Sequence, residues 1–278
     1  MLFKMFRTRK KTQPDQILFK KKLHNIFSFF PIFWSNFIKS FQALFFGFIF
    51  PTFLFIIISL INLIDTSYLW IIIMLPPVTL GIMSLGNTIT EWKSSVFLKR
   101  IDATPISKTE FLFSLILFYT LISFMGIVWL MIVGVIYDAA SGMETFSSSF
   151  NFGWFLLACL EVSFLSISIG VFIGGVAQSE GSAQGIGMAI YFPCILFSGI
   201  LFPASLLDKV DALRYISYIL PTKYGVFVNQ YAWTGTFNLD NSFTEFSQNW
   251  IAPVIAFLWI IIFNVINKFT FKLTSVKR

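Results

Sequence analysis

The sequence predicts an all-α, polytopic membrane protein with six transmembrane helices and both termini in the cytoplasm. Three observations lead to this prediction. Of the 278 residues, 56% are apolar and only 12% are charged, roughly half the charged fraction of a soluble domain. The apolar residues fall in runs of about 20, the length of a helix that crosses a bilayer. Lysines and arginines are concentrated in alternate connecting segments, as expected for cytoplasmic loops.

Residues 1–41 are predicted to form a basic cytoplasmic tail followed by an amphipathic helix in the membrane interface. We expect the tail to attract anionic lipid headgroups, and we expect no nucleic-acid partner because no folded basic module is visible. From Phe27 to Phe41 aromatic residues recur at helical spacing, and Pro31 suits a first helical turn. The apolar face, expected to rest on lipid, comprises Phe27, Phe30, Trp34, Phe37, Ile38 and Phe41.

Residues 42–278 are predicted to form the transmembrane domain. The six spans are predicted at 43–64, 68–89, 111–136, 152–177, 185–202 and 251–267. If both termini are cytoplasmic, the cytoplasmic segments contain 17 of the 20 lysines and arginines. This asymmetry sets the predicted orientation.

The loop at 90–110, on the predicted cytoplasmic side, is expected to contain a short amphipathic helix. Its apolar residues at helical spacing are Val96, Phe97 and Ile101, and its interleaved basic residues are Lys99 and Arg100. Thr104 and Pro105 should end this helix, because the residue before proline avoids helical geometry. Ser107 and Glu110 should then form a capping box at the start of the third span.

The segment at 203–250, which we call the outer segment, is predicted to fold back at or into the outer interface. A span should end at Pro203, and an amphipathic stretch continues towards Pro221. The apolar residues of this stretch are Leu206, Val210, Leu213 and Ile216.

Few polar residues fall inside the predicted spans. Glu161 is the acidic residue deep in a span, and two interpretations remain open: a functional carboxylate, or a glutamate that joins helices through Ser163, Ser166 or a partner subunit. The spacings Gly170-x-x-x-Gly174 and Gly181-x-x-x-Gly185 permit close helix approach, and we expect both to serve packing within the subunit.

The sequence gives little support to catalysis. It has one histidine, His24, and two cysteines, Cys159 and Cys194, without metal-ligand spacing, so we expect no enzyme, metal or cofactor site. The stretch from Gly81 to Thr88 superficially resembles a phosphate loop, but Asn87 occupies the position that requires lysine. We therefore expect no ATP site in this chain.

Two segments resemble the type-2 ABC exporter permeases, the ABC-2 type. LKRIDATPISKTEFL, from Leu98 to Leu112, is similar to that family's loop between the second and third spans, with Glu91 as the preceding acidic residue. The segment after the fifth span is similar as well, through Ser198-Gly199, Phe202-Pro203 and Tyr218-x-x-Pro221-x-x-Tyr224. The resemblance covers nearly the whole chain in order and spacing.

This resemblance implies the permease subunit of an exporter that moves an amphiphilic or apolar cargo, such as a drug, lipid, peptide or polysaccharide. It implies separate cytoplasmic ABC ATPase subunits that bind ATP and Mg, and a homodimer or a heterodimer with a similar permease. The pathway would lie along the second and fifth spans, where Ser84 and Asn87 are polar. Composition favours a bacterial plasma membrane.

The implied site residues fall into two groups. Those for ATPase coupling are Glu91, Val96, Phe97, Lys99, Arg100, Ile101, Thr104 and Pro105, and those of the outer motif are Ser198, Gly199, Pro203, Tyr218, Pro221 and Tyr224. A membrane channel or scaffold without an ATPase partner fits the hydropathy equally well. Copurification with a soluble ATPase separates these alternatives.

Overall fold

The computed structural model describes residues 26–61, 70–103, 106–141, 150–202, 207, 209–235 and 250–271. Within these residues the regular structure is helical and no strand is present. This agrees with the all-α prediction. Thr104, Pro105, Pro203 and Leu206 lie outside the described residues.

The helices follow the apolar runs of the sequence. In chain order they are α1 (Phe30–Lys39), α2 (Phe41–Leu44), α3 (Phe50–Ile61), α4 (Leu75–Val78), α5 (Gly86–Ser94), α6 (Phe97–Asp102), α7 (Lys108–Ser141), α8 (Phe152–Val176), α9 (Glu180–Phe197), α10 (Asp211–Ile219), α11 (Pro221–Thr234) and α12 (Ile251–Thr270). Two π-helical segments, Phe45–Ile49 and Thr79–Leu85, join α2 to α3 and α4 to α5, and a 3-10 turn at Ile72–Met74 precedes α4.

Five helical stretches of the described chain are long and apolar enough to cross a membrane. They are Phe41–Leu60, Ile72–Ser94, Lys108–Ser141, Phe152–Val176 and Ile251–Thr270, which match the first four and the last of the predicted spans. Helix α9, over the predicted fifth span, is not among them because its first turns are polar. The count of six spans and the orientation of the termini stay predictions.

The outer segment packs back into the bundle through α11. Gly199, just after α9, lies beside Val226 of α11. Helix α11 contacts Glu161 and Val162 of α8 through Gly225 and ends where Asn151, at the start of α8, donates a backbone hydrogen bond to Ala232. Nearly all of α11 is buried. Helix α9 alone therefore does not form this part of the bundle. Helix α11 packs along the N-terminal half of α8, beside residues 151–162.

The second and fourth spans form the centre of the bundle. The whole apolar stretch of the second span is buried inside the protein, whereas only 28% of that of the first span and 17% of that of the last span are buried. Close contact depends on glycine: a Cβ atom at Gly170 would collide with the carbonyl of Gly81, and one at Gly174 would lie 2.6 Å from the Cβ of Ile89. Backbones that approach this closely allow extensive van der Waals contact.

The two predicted glycine pairs differ. Gly170 and Gly174 pack within the subunit, as predicted. For Gly181 and Gly185 the prediction is wrong: a Cβ atom at either position would meet no atom of the described chain within 4 Å. The reason is that α9 turns this face away from α8 and from the second span.

Two lysines bring several helix ends together. The Lys93 Nζ donates to the Gly175 carbonyl, in the last turn of α8, at 2.7 Å, and the Lys108 Nζ donates to the Lys268 carbonyl of α12 at 2.8 Å. Cations are favourable near the free carbonyls of helix C-termini. The ends of α5, α8 and α12 and the start of α7 therefore lie at one end of the bundle, which we call the loop end.

Helix α1 packs onto the loop end through an apolar face that differs from the predicted one. Phe29, Phe33 and Phe37, spaced four residues apart, are buried against the bundle, so the prediction that Phe37 rests on lipid is wrong. Of the predicted face, Phe30 is half-buried, and Phe27, Trp34, Ile38 and Phe41 are exposed. A helix this rich in phenylalanine has two apolar faces, and periodicity alone cannot tell which one packs on protein.

Candidate functional site

The 90–110 loop contains the short helix predicted for it, held by local hydrogen bonds. Helix α5 ends at Ser94, and the Ser95 Oγ accepts a hydrogen bond from the backbone N–H of Phe97 at the start of α6. After α6, the Ser107 Oγ accepts from the Glu110 N–H, and the Glu110 carboxylate accepts from the Ser107 N–H, each at 3.2 Å. The predicted capping box is therefore confirmed.

Helix α6 has a buried face and an exposed face. Leu98 and Ile101 are 1% and 6% exposed and belong to the apolar cluster that includes Phe33, Phe111 and Phe271. Ile101 therefore lies in the core of this chain and is not available to a partner, which corrects the expectation that it seats on an ATPase. Val96 is 59% exposed, and Lys99 and Arg100 are exposed next to it.

An aromatic stack connects α6 to the interfacial helix. The ring of Phe97 is 5.0 Å from that of Trp92 in α5, and Trp92 is stacked on Phe33 of α1 at 5.6 Å with an interplanar angle of 12°. Trp92 is 5% exposed. Phe97 is therefore half-buried against its own chain. The position of α6 is set by α1 as well as by α5.

A polar cavity of about 100 Å³ lies next to this loop. Its lining residues are Gln42, Asn87, Glu91, Glu180 and Gln184. They come from the start of the first span, the end of the second span and the start of α9. Of the residues proposed from sequence, the structure brings Asn87 and Glu91 together here. Ser84 is fully buried and does not line the cavity.

Gln42, Glu180 and Gln184 were not predicted as site residues. The signal that could have found them is spacing: Asn87 and Glu91, and Glu180 and Gln184, are polar pairs four residues apart. Such pairs share one helix face. Polar faces at the ends of neighbouring spans are expected to contact each other. Only the packing of α9 against α5 shows that these two faces do so.

The outer motif builds the start of α11. Pro221 occupies the first turn of this helix, where a missing N–H costs nothing. The Tyr224 hydroxyl donates to the Tyr218 carbonyl at 2.7 Å. Gly199 has a φ of 97°, a conformation in which side chains are strained. Ser198 is buried, and Pro203 lies outside the described residues.

Lys223, which sequence analysis did not single out, lies inside the same turn. It is 1% exposed and its Nζ donates to the Ser217 hydroxyl. The Nζ also lies 4.2 Å from the centre of the Tyr218 ring, a cation–π distance. The motif therefore fixes the turn between α10 and α11 by backbone, hydroxyl and ring contacts.

Glu161 is 5% exposed, in the middle of α8. Among the described residues, the Glu161 Oε2 has no hydrogen-bond partner, and neither have the hydroxyl groups of Ser163 and Ser166. These serines therefore do not hold the Oε2 atom. Gly225 of α11 packs against Glu161.

Comparison with known proteins agrees with this geometry. The family model described as ABC-2 family transporter protein matches residues 61–266, from the end of the first span through most of α12. No curated protein and no solved structure matches the chain. The match takes in the central spans, the 90–110 loop and the outer segment, and this chain accordingly belongs to the ABC-2 family of transporter proteins.

Proposed function

We propose that this protein is the membrane permease subunit of an ATP-binding cassette exporter. Separate ATPase subunits would bind at the loop end and hydrolyse ATP there with Mg. Two permease chains, identical or similar, would form the pathway for an amphiphilic or apolar cargo. The proposed location is a bacterial plasma membrane, with six spans and both termini in the cytoplasm.

The observation that carries this proposal is the construction of the 90–110 loop. Its helix α6 is fixed on one face by Leu98 and Ile101 and leaves Val96, Lys99 and Arg100 exposed. A displacement of a helix packed in this way moves the elements that contact it, because packed interfaces do not deform continuously. A partner that pushes on the exposed face would therefore act on the spans joined by the loop.

The expected contact has an apolar centre and a charged rim. Val96 supplies the exposed apolar surface, and Phe97 supports it from the Trp92 side. Lys99 and Arg100 would set the orientation and the association rate of the ATPase more than its affinity. Glu91 is exposed near the C-terminal end of α5 and would lie at the same rim.

The test is copurification of the cognate ATPase with full-length permease variants, together with transport in vesicles. We expect Val96→Asp to weaken association at least about tenfold, since apolar hot-spot contacts that become buried commonly contribute about 2 kcal/mol or more. Arg100→Glu should slow association more than it lowers the affinity. Phe97→Ala should also weaken association with the ATPase, but indirectly, because loss of the contact with Trp92 would make the position of α6 less fixed. Lys209→Glu, an exposed charge reversal in the outer segment, is the matched control and should bind normally.

Wild-type association and transport in Val96→Asp, Phe97→Ala and Arg100→Glu would show that α6 is not the coupling element. If no ATPase copurifies with the wild-type chain, the channel or scaffold alternative is favoured. Normal insertion of each variant, checked by its yield in the membrane fraction, keeps these outcomes interpretable.

A further inference from the structure

The polar cavity at the loop end has a lining suited to one class of ligand. We propose that it binds the cationic head group of an amphiphilic cargo, an alkylammonium or a related organic cation. This inference rests on the proposed function and specifies its substrate class. The argument uses the hydrogen-bonding capacity, the charge and the surroundings of the five lining residues.

The amides in the cavity wall present acceptors. The Asn87 Nδ2 and the Gln42 Nε2 both donate to the Met83 carbonyl, at 3.1 and 3.4 Å. Each amide keeps its second N–H and its oxygen, so each side chain can offer an acceptor to a ligand in the cavity. The Asn87 Oδ1 is buried and has no hydrogen-bond partner among the described residues. An acceptor in this state is costly unless a donor is supplied.

The charge in the cavity is negative. Glu91 and Glu180 line it from two different helices, and neither forms an ion pair with a lysine or arginine of the described chain. The neighbouring Lys93 is directed away, to the carbonyl groups of Gly175 and Ala177 at the C-terminal end of α8. Two carboxylates with the same sign of charge in one cleft raise the local concentration of cations.

The exposed face of α9 continues the cavity with apolar surface. Along this face Glu180 and Gln184 are followed, at the same helical spacing, by Met188 and Phe192, which are 38% and 53% exposed. Gly181 and Gly185 leave open space beside them. The face therefore changes from polar to apolar along one line, and an amphiphile could place its head in the cavity and its chain on α9.

The test measures binding to the purified full-length permease in lipid nanodiscs. The probe is a dodecylammonium chain with a dansyl group at its far end, and the control probe is the same chain ending in a hydroxyl. We expect the ammonium probe to bind more tightly. Glu180→Gln should weaken it about threefold, and Glu91→Gln with Glu180→Gln about tenfold, the range for partly exposed charge pairs.

Two further variants make the test specific. Asn87→Asp should tighten the ammonium probe about threefold, because it adds a carboxylate to the same wall; a merely structural role of Asn87 would not give tighter binding. Glu110→Gln removes a half-buried carboxylate near the loop end but outside the cavity, and its glutamine still suits the capping box. We expect it to bind like the wild type.

Equal binding of the ammonium and hydroxyl probes would overturn the proposal, as would wild-type affinity in the double variant. The proposal would also be overturned if Glu110→Gln weakened binding as much as the cavity variants do, since the probe would then respond to the overall charge of the protein and not to the cavity. ATPase copurification, measured on the same preparations, reports on the proposed function separately. A permease that keeps its ATPase but does not prefer the cation remains an exporter of another cargo.

Discussion

At the residue scale, Glu161 is a carboxyl group buried in the middle of α8. Its Oε2 lacks a hydrogen-bond partner within the described structure, and the side chain packs against Gly225 of α11. Burial of an unpaired carboxylate is unfavourable. A role in function and a contact with a group outside this chain would each account for its burial.

We predict that Glu161→Gln leaves the fold at least as heat-stable as the wild type, because glutamine has similar volume and no charge to bury. The measurement is the fraction of protein that stays monodisperse in detergent after heating. Glu110→Gln, the same chemical change at a half-buried position where glutamine still completes the capping box, is the control and should show no shift. Transport lost in a heat-stable Glu161→Gln variant would show that the carboxylate itself acts in transport.

Single residues also mark the limit of the sequence interpretation. The pattern of Val96, Phe97 and Ile101 correctly predicted an amphipathic helix, but it could not assign its faces. Ile101 packs inside the chain because α1 brings Phe33 against the same cluster. Phe33 and Ile101 belong to one cluster although they are 68 positions apart in the sequence, and no local spacing encodes that arrangement.

At the element scale, glycine decides how closely the second and fourth spans approach. A side chain at Gly170 would displace the backbone of the second span at Gly81, whereas Gly181 faces open space. Each glycine belongs to a small-x-x-x-small pattern, and from the sequence alone the two patterns are indistinguishable. Their different roles follow from which face each helix presents.

We predict that Gly170→Ala destabilises the folded chain by about 1–3 kcal/mol, the usual cost of overpacking a close contact. Gly181→Ala is the matched variant and should leave stability unchanged. The midpoint of heat unfolding in detergent measures both. Equal effects of the two substitutions would contradict the close packing of the second and fourth spans.

The first and second spans each contain a π-helical segment, and the two segments are joined by hydrogen bonds. The Thr79 hydroxyl donates to the Phe46 carbonyl at 2.5 Å, which joins the two segments directly, and Gln42 of α2, just before the first segment, donates to the Met83 carbonyl of the second. π-helical turns release carbonyl groups from the regular pattern and are frequent at functional sites. Here they supply the carbonyl that holds the amides of the polar cavity. Periodicity did not predict these segments, because their residues are as apolar as those of a regular span.

At the scale of the whole molecule, hydropathy predicted the class and five of the spans well. Apolar runs of sufficient length have few alternatives in a bilayer. The outer segment was harder, because α11 is buried despite carrying Lys223, Asn229 and Gln230. Its polar groups are placed by tertiary contacts, such as the Asn229 amide that donates to the Trp70 carbonyl. A hydropathy profile does not contain those contacts.

The orientation is the remaining property of the whole molecule, and the distribution of basic residues predicts it. Residues near Ser141 and Asn241 should be extracytoplasmic, and Lys99 and Lys277 cytoplasmic. Ser141 and Lys99 are exposed, at the end of α7 and on α6, while Asn241 and Lys277 lie outside the described residues. Lys99 and Ser141 lie near opposite ends of the long helix α7, so this pair gives the sharper test.

We predict that Ser141→Cys reacts with a membrane-impermeant maleimide on intact cells, whereas Lys99→Cys reacts only after permeabilisation. The wild-type chain is the control: Cys159 and Cys194 are each 1% exposed and should stay unlabelled. Helix α7 has 34 residues, about 51 Å at 1.5 Å per residue, which exceeds the roughly 30 Å hydrocarbon core. Its two ends must therefore differ in accessibility if α7 crosses the bilayer. Labelling of Lys99→Cys from outside would invert the topology and separate the 90–110 loop from any cytoplasmic ATPase.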